Sequence, residues 1–122
     1  MIIKIIAGAA FLIIILIILY TYTLFQAQKS PFNSPANFLK ESAQSKNNKT
    51  VVCIGNSITH GRVSYNYVNI LSDDLSGHGY HFINAGINGN LAYNVVKRLD
   101  EIIKCDPDYV TVLIGTNDAN AS

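Results

Sequence analysis

The sequence predicts an α/β fold with a parallel sheet, preceded by a helix that spans a membrane. Between residues 51 and 114, three short apolar runs alternate with two stretches of helical periodicity. Apolar strands in the order β-α-β-α-β are typical of a parallel sheet with helices on its faces. Residues 5–28 carry no charged side chain, which is typical of a membrane span.

The predicted strands are residues 51–55, 80–85 and 109–115, three runs rich in β-branched and aromatic residues. Between them, apolar residues recur at the spacing of one helical face. These positions are Tyr67, Val68, Leu71 and Leu75 in the first predicted helix, and Leu91, Val95, Leu99, Ile102 and Ile103 in the second. A pair of glycines ends the first helix. Pro107 ends the second, because the residue before a proline resists the helical region.

The composition excludes several classes of protein. Apolar residues make up 49% of the chain and charged residues 14%, so the chain is not intrinsically disordered. Nine Lys and Arg against eight Asp and Glu give a net charge of +1, which argues against a nucleic-acid partner. Two distant cysteines exclude a disulfide-dense scaffold and a cysteine-based zinc site. The sequence predicts no metal site.

Residues 1–25 are predicted to be a membrane anchor. A helix rises about 1.5 Å per residue, so about 20 apolar residues cross the hydrocarbon core of a bilayer. Tyr20 and Tyr22 suit the aromatic belt at the far interface. A cleaved signal sequence is the alternative, because Lys4 supplies the basic start of a signal. An uncleaved anchor is favoured, since the apolar run is longer than that of a signal and no A-x-A-like site follows it. Cleavage would make the protein secreted.

Residues 26–50 are predicted to be a flexible linker, followed by the domain at 51–122. Two Ser-Pro pairs interrupt regular structure, and residues 46–49 are polar. Residues 38–41 are long enough for one helical turn. Four lysines follow the span and one precedes it, so the positive-inside rule places the C-terminal side in the cytoplasm.

A small polar segment follows each predicted strand. Segment I is residues 55–61, segment II is residues 84–90 and segment III is residues 115–118. The carboxyl ends of parallel strands meet at one edge of the sheet, where ligands bind in such folds. Taken singly, each segment has a plain structural explanation, because Ser57 can cap a helix and the other two segments can be turns.

Taken together, the three segments indicate a catalytic site. They bring the hydroxyl of Ser57, the backbone N–H of Gly89 and the side-chain amide of Asn117 to the same edge of the sheet. A nucleophile surrounded by hydrogen-bond donors is the arrangement of an oxyanion hole.

The three segments resemble the first three sequence blocks of the SGNH hydrolases, also called GDSL esterases and lipases. Gly-Asn-Ser-Ile-Thr at 55–59, Asn-Ala-Gly-Ile-Asn-Gly at 84–89 and Gly-Thr-Asn-Asp at 115–118 occur in the family's order, each after a strand. The similarity covers residues 51–118. It implies a flavodoxin-like three-layer α/β/α sandwich, of which this chain holds the first β-α-β-α-β part. It also implies hydrolysis of acyl esters of lipids, sugars or small molecules, without a metal or an organic cofactor.

By position, the resemblance makes Ser57 the nucleophile. The backbone N–H groups of Ser57 and Gly89 and the side chain of Asn117 would form the oxyanion hole. The supporting positions are Gly55, Asn56, Asn84, Gly115 and Asp118. The chain departs from the commonest pattern at Asn56, where many members have Asp, and at Asn90, where Asp is frequent.

The family's general base has no counterpart in the sequence. In SGNH hydrolases the base is a His in an Asp-x-x-His block near the end of the domain. None of His60, His78 and His81 has an Asp three positions before it, and a serine hydroxyl needs an adjacent base. We therefore expect a chain truncated before that block, with its third strand left as an unpaired apolar edge and little activity of its own.

The resemblance favours a membrane-anchored, single-pass ester hydrolase whose domain is extracytoplasmic, although the lysine count points the other way. The alternative is a catalytically inactive, membrane-tethered binding protein that retains the oxyanion pocket. A phosphate-binding protein is disfavoured, because the chain has neither a P-loop lysine nor a G-x-G-x-x-G pattern.

Overall fold

In the computed structural model, which describes residues 2–41 and 48–121, a long N-terminal helix precedes an α/β domain. The helices are α1 (Ile2–Gln28), α2 (Pro35–Lys40), α3 (Ser57–His60), α4 (Tyr67–Leu75), α5 (Ala92–Lys97), α6 (Leu99–Lys104) and α7 (Thr116–Asn120), with a 3₁₀ turn at Ser76–His78. The strands are β1 (Lys49–Gly55), β2 (Tyr80–Gly86) and β3 (Tyr109–Leu113).

The three strands form one parallel sheet in the order β2-β1-β3. Val52 on the central strand pairs with Ile83 on one side and Val110 on the other, and Gly55 pairs with Gly86 and Leu113. All three strands therefore end at the same edge, which we call the carboxyl edge. The prediction of a flavodoxin-like α/β fold with a parallel sheet is confirmed.

Alternate residues of the buried strands feed two hydrophobic clusters, one on each face of the sheet. One face holds Val52, Ile54, Ile83, Ala85, Val95, Ile102 and Cys105. The other holds Val51, Cys53, Val68 and Phe82, with Tyr67, Leu71, Leu75 and Tyr80 packed against them. The predicted apolar face of α4 is therefore confirmed, and helices cover both faces of the sheet.

The second predicted helix is wrong in one respect, because the chain forms two short helices there. It turns at Arg98 (φ −116°, ψ 16°), which ends α5 and begins α6. Val95 and Ile102 are buried as expected, but Ile103 is 67% exposed. The backbone turn takes Ile103 off the face that packs against the sheet.

Residues 33–39, part of the predicted linker, are packed against the domain instead of forming the solvated spacer that we expected. Phe38 and Leu39 of α2 pack against the cluster that contains Val52. The carbonyl of Asn33 accepts a hydrogen bond from the backbone N–H of Asn84 at 2.8 Å. Helix α2 packs on the sheet because it has an apolar face, and burying that face lowers the free energy of the folded chain. Residues 42–47 lie outside the described residues, and the three region boundaries stay a prediction.

Helix α1 contains one segment, Ile6–Gln28, that is long and apolar enough to cross a membrane. All its side chains from Ile6 to Phe25 are exposed. A core helix of a soluble domain would bury them, so the apolar surface of α1 needs a partner that the described chain does not provide.

Strand β3 is the outer strand of the described sheet. It pairs with β1 along one side, and all five of its residues are exposed. They include Val110, Val112 and Leu113, so both faces and the free edge of β3 present apolar surface.

Gly86 lies where the end of β2 comes closest to α3. A Cβ atom at Gly86 would lie 2.2 Å from the backbone N of His60 and 2.6 Å from the carbonyl carbon of Thr59. Neither backbone atom can move without displacing α3. We expect Gly86→Ala to lower the free energy of unfolding by about 2–3 kcal/mol, measured by urea denaturation. Gly77→Ala is the control, because a Cβ there meets nothing within 4 Å. An equal loss in both variants would contradict the steric explanation.

Candidate active site

Ser57 is the first residue of α3, directly after the central strand. The helix is capped by its neighbour: Asn56 is fully buried, and its Oδ1 accepts a hydrogen bond from the N–H of Ile58 at 3.1 Å. The explanation of Ser57 as a plain helix cap is therefore wrong. Within residues 2–41 and 48–121, the half-buried Ser57 hydroxyl has no hydrogen-bond partner.

Segment II is bound directly to segment I. Asn84 is fully buried, donates from Nδ2 to the carbonyl of Thr59 at 2.8 Å and accepts from the N–H of Gly86 at 3.0 Å. The carbonyl of Gly55 accepts from the N–H of Ile87 at 3.1 Å. These contacts fix the start of the loop that carries Gly89.

Gly89 adopts a backbone conformation that favours glycine. Its φ is +75°, a region that residues with a Cβ rarely adopt, and no atom lies within 4 Å of where a Cβ would be. Among the described residues, neither the N–H of Gly89 nor that of Ser57 has an acceptor. Two of the three proposed oxyanion donors are therefore available to a ligand.

Segment III contacts the end of segment II. Asn117 of α7 donates from Nδ2 to the carbonyl of Asn90 at 3.0 Å. The Asp118 carboxylate accepts from the N–H of Ala92 at 3.0 and 3.1 Å, at the start of α5. Gly115, at φ +112°, makes the turn between β3 and α7. Asn117 is therefore held one residue from Gly89.

Arg98 is a further residue at this edge that was not predicted from the sequence. From the turn between α5 and α6, its guanidinium donates to Asn90 Oδ1 at 3.0 Å and to the carbonyls of Ala85 at 2.7 Å and Gly55 at 3.4 Å. Burial lowers the pKa of Arg98. The side chain thus joins the ends of β1 and β2 to the Gly89 loop. One feature of the sequence could have indicated Arg98. This charged residue falls on the apolar face of the second predicted helix, seven positions after Leu91.

None of the three histidines forms a hydrogen bond with Ser57 among the described residues. His60 is buried, and its Nε2 donates to the carbonyl of Lys29 at 2.9 Å, while its Nδ1 has no partner among the described residues. His81 pairs with Thr50 near the opposite end of β1. Five residues at about 3.3 Å each put His81 roughly 16 Å from the carboxyl edge, and His78 precedes it. The described residues therefore supply no base for Ser57.

The two cysteines do not provide an alternative nucleophile. Burial raises the pKa of the Cys53 thiol, and burial together with Glu101 raises that of Cys105 to about 11. Both thiols are protonated at neutral pH, whereas the thiolate is the reactive form. The two lie on opposite faces of the sheet, and both are free. Residues 2–41 and 48–121 contain no group of three His, Cys, Asp or Glu side chains that could hold a metal ion.

A comparison with known families identifies the family to which the chain belongs. Residues 53–122, more than half of the chain, match the model of the GDSL-like lipase/acylhydrolase family. The chain therefore belongs to that family, and its resemblance to the SGNH hydrolases is confirmed. No curated protein sequence matches the chain significantly.

Two solved structures illustrate the relationship. The acetyl xylan esterase AlAXEase is 35% identical over 57% of this chain and 38% of its own, with a TM-score of 0.50. The SGNH-hydrolase family esterase AlinE4 is 23% identical over 64% of this chain and 46% of its own, with a TM-score of 0.53. The second likeness supports the fold alone. The chain spans less than half the length of either structure.

Proposed function

We propose that the protein is a serine hydrolase of carboxylic esters, with Ser57 as its nucleophile. One observation carries the proposal. At the carboxyl edge, the Ser57 hydroxyl and the N–H groups of Ser57 and Gly89 have no partner among the described residues. Unpartnered polar groups gathered at the strand ends suit a reacting carbonyl.

In this mechanism Ser57 Oγ attacks the ester carbonyl carbon, and the carbonyl electron pair moves to the oxygen. The N–H groups of Ser57 and Gly89 and the Asn117 amide donate hydrogen bonds to the negative oxygen. An amide NH₂ has two donors, so Asn117 can keep its bond to Asn90 and still serve the oxyanion. Collapse of the intermediate expels the alcohol, and water hydrolyses the acyl-serine.

The base that takes the Ser57 proton is proposed to come from outside residues 1–122, on an Asp-x-x-His segment of the same or another polypeptide. The engagement of His60 with Lys29 and the remote positions of His78 and His81 support this. The chain spans only 38% and 46% of the two solved relatives, and this also supports a base outside residues 1–122. The alternative function is a binding protein that uses the same pocket without catalysis.

An esterase assay tests the proposal and separates it from the alternative. The 122-residue chain alone should not hydrolyse p-nitrophenyl acetate faster than its Ser57→Ala variant. The same chain joined to the carboxyl-terminal half of an SGNH hydrolase that carries Asp-x-x-His should show saturable turnover. A folded, joined protein without turnover would contradict the hydrolase proposal and favour the binding protein.

We also propose that residues 1–25 anchor the protein in a membrane, uncleaved, with the domain on the extracytoplasmic side. The exposed apolar surface of α1 supports anchoring. The full chain should therefore float with phosphatidylcholine vesicles in a density gradient, and a chain that begins at Lys29 should not. That shorter chain keeps α2 and its packing on the sheet. A soluble full chain would contradict the anchor, and a reporter fused after residue 122 tests the side of the membrane.

A further inference from the structure

The C-terminal end of α1 is bound to the carboxyl edge of the sheet. Asn88 donates from Nδ2 to the carbonyl of Ala27 at 2.5 Å, and Arg62 donates to Gln26 Oε1 at 2.8 Å. The His60 bond to the carbonyl of Lys29 completes the contact. Gln26 and Ala27 are the first residues of the apolar segment to become partly buried.

These contacts bring the candidate catalytic residues close to the end of the span. Asn88 directly precedes Gly89, and consecutive Cα atoms are about 3.8 Å apart. Ala27 lies one residue before the end of the membrane-compatible segment Ile6–Gln28. Because the headgroup layer on each side of a bilayer is roughly 5–7 Å deep, the Gly89 loop lies at about the level of the lipid headgroups.

The two edges of the sheet expose different chemistry. Around the carboxyl edge, five apolar or aromatic side chains are exposed, Ile58, Val63, Tyr65, Ile87 and Tyr93, beside the exposed polar residues Arg62, Ser64, Thr116 and Asn120. The opposite edge exposes Lys49, His78, Lys104, Asp106 and Asp108. Arg62 and Lys29 lie beside the helix end, where cations meet lipid phosphates. An amphipathic edge of this kind fits a lipid surface.

A cavity lies between the helix end and the candidate site. Its volume is about 310 Å³, and it is lined by Gln28, Ser30, His60, Gly86, Ile87 and Asn88. Since a water occupies about 30 Å³ in the liquid, the cavity has room for a polar group the size of a glycerol unit. It gives a lipid headgroup a position between the membrane and Gly89.

We propose that the carboxyl edge rests on the membrane that holds α1, and that the ester cleaved there belongs to an amphiphile in the bilayer. The inference rests on the proposed hydrolase and on the proposed anchor. Hydrogen bonds to Gln26 and Ala27 at the end of the span, and to Lys29 just after it, hold the domain in this orientation. The substrate then reaches Ser57 from the headgroup layer and not from bulk water.

Depth-dependent fluorescence quenching in the full chain tests the orientation. A nitrobenzoxadiazole probe is attached at Tyr65→Cys, at Tyr93→Cys and, as the control, at Gly77→Cys on the opposite edge. The native cysteines are buried, so the introduced one is labelled. A seven-residue strand separates the edges by roughly 23 Å, and we expect headgroup-labelled phosphatidylcholine to quench more than about half of the emission at 65 and 93 and little at 77. Equal quenching at all three positions, or none at 65 and 93, would overturn the orientation.

Hydrolysis tests the substrate class in the protein joined to an Asp-x-x-His segment. Removing residues 1–28 should lower kcat/KM for a long-chain p-nitrophenyl ester in vesicles at least about tenfold, while kcat/KM for soluble p-nitrophenyl acetate changes less than about twofold. An unchanged value for the vesicle ester would overturn the inference.

The anchor, the orientation and the hydrolase proposal would each fail in a different way. A chain that does not float refutes the anchor and this inference with it. Flotation with unquenched edge probes refutes this inference alone, and loss of the Ser57-dependent turnover refutes the hydrolase without altering the quenching.

Discussion

Changing Ser57 to Ala is expected to lower kcat/KM for p-nitrophenyl acetate by about 10⁴-fold or more in the protein joined to an Asp-x-x-His segment. The reason is the loss of the attacking oxygen at the end of β1. The fold should survive, because Asn56 and not Ser57 caps α3. Initial rates over a range of ester concentrations measure the effect.

Ser64→Ala is the matched control, since Ser64 is an exposed serine in the loop that follows α3. Its kcat/KM should stay within about twofold of the parent, as for most surface substitutions. His78→Ala and His81→Ala should also leave the rate nearly intact. Turnover by the 122 residues alone that is lost in His60→Ala would contradict our mechanism, because it would make His60 the base.

Changing Asn117 to Ala is expected to lower kcat about 10²–10³-fold, the usual loss for one oxyanion donor. The Asn117 amide stabilises charge that develops only in the transition state, so KM should change little. The same variant loses the bond to the carbonyl of Asn90. A fall in kcat could therefore also reflect a displaced Gly89 loop, and the measurement needs a second observable.

The second observable is the melting temperature of Asn117→Ala. A displaced Gly89 loop lowers it, whereas the loss of an oxyanion donor alone does not. Asn120→Ala is the control, as Asn120 is exposed on the same helix. A kcat for Asn117→Ala within about threefold of the parent would contradict the oxyanion role, since one donor is worth ~10²-fold or more.

The strands and α4 could be predicted because their signals are local. An apolar run followed by a polar segment identifies each strand, and a β-α-β-α-β order leaves few topologies. The break between α5 and α6 at Arg98 could not be predicted. It depends on hydrogen bonds from Arg98 to the carbonyls of Gly55 and Ala85, which are distant in sequence. The packing of α2 against the sheet was missed for the same reason.

The candidate site could be predicted in its residues but not in its connections. Segments I, II and III carry Ser57, Gly89 and Asn117 in an order that the family resemblance makes specific. The bond from Asn117 to Asn90 links residues 27 positions apart. The bond from His60 to Lys29 spans 31 positions. No periodicity or spacing encodes such pairs, because they follow from how the sheet brings the segments together.

Covalent labelling tests the central claim, that Ser57 is an activated nucleophile, most directly. A fluorophosphonate reacts with an activated serine when the hydroxyl oxygen displaces fluoride from phosphorus. In the protein joined to an Asp-x-x-His segment, mass spectrometry of the digest should find one phosphonyl group, on Ser57, and loss of esterase activity in proportion to the labelling. A fully active protein that carries the label on another residue, or none, would contradict the claim.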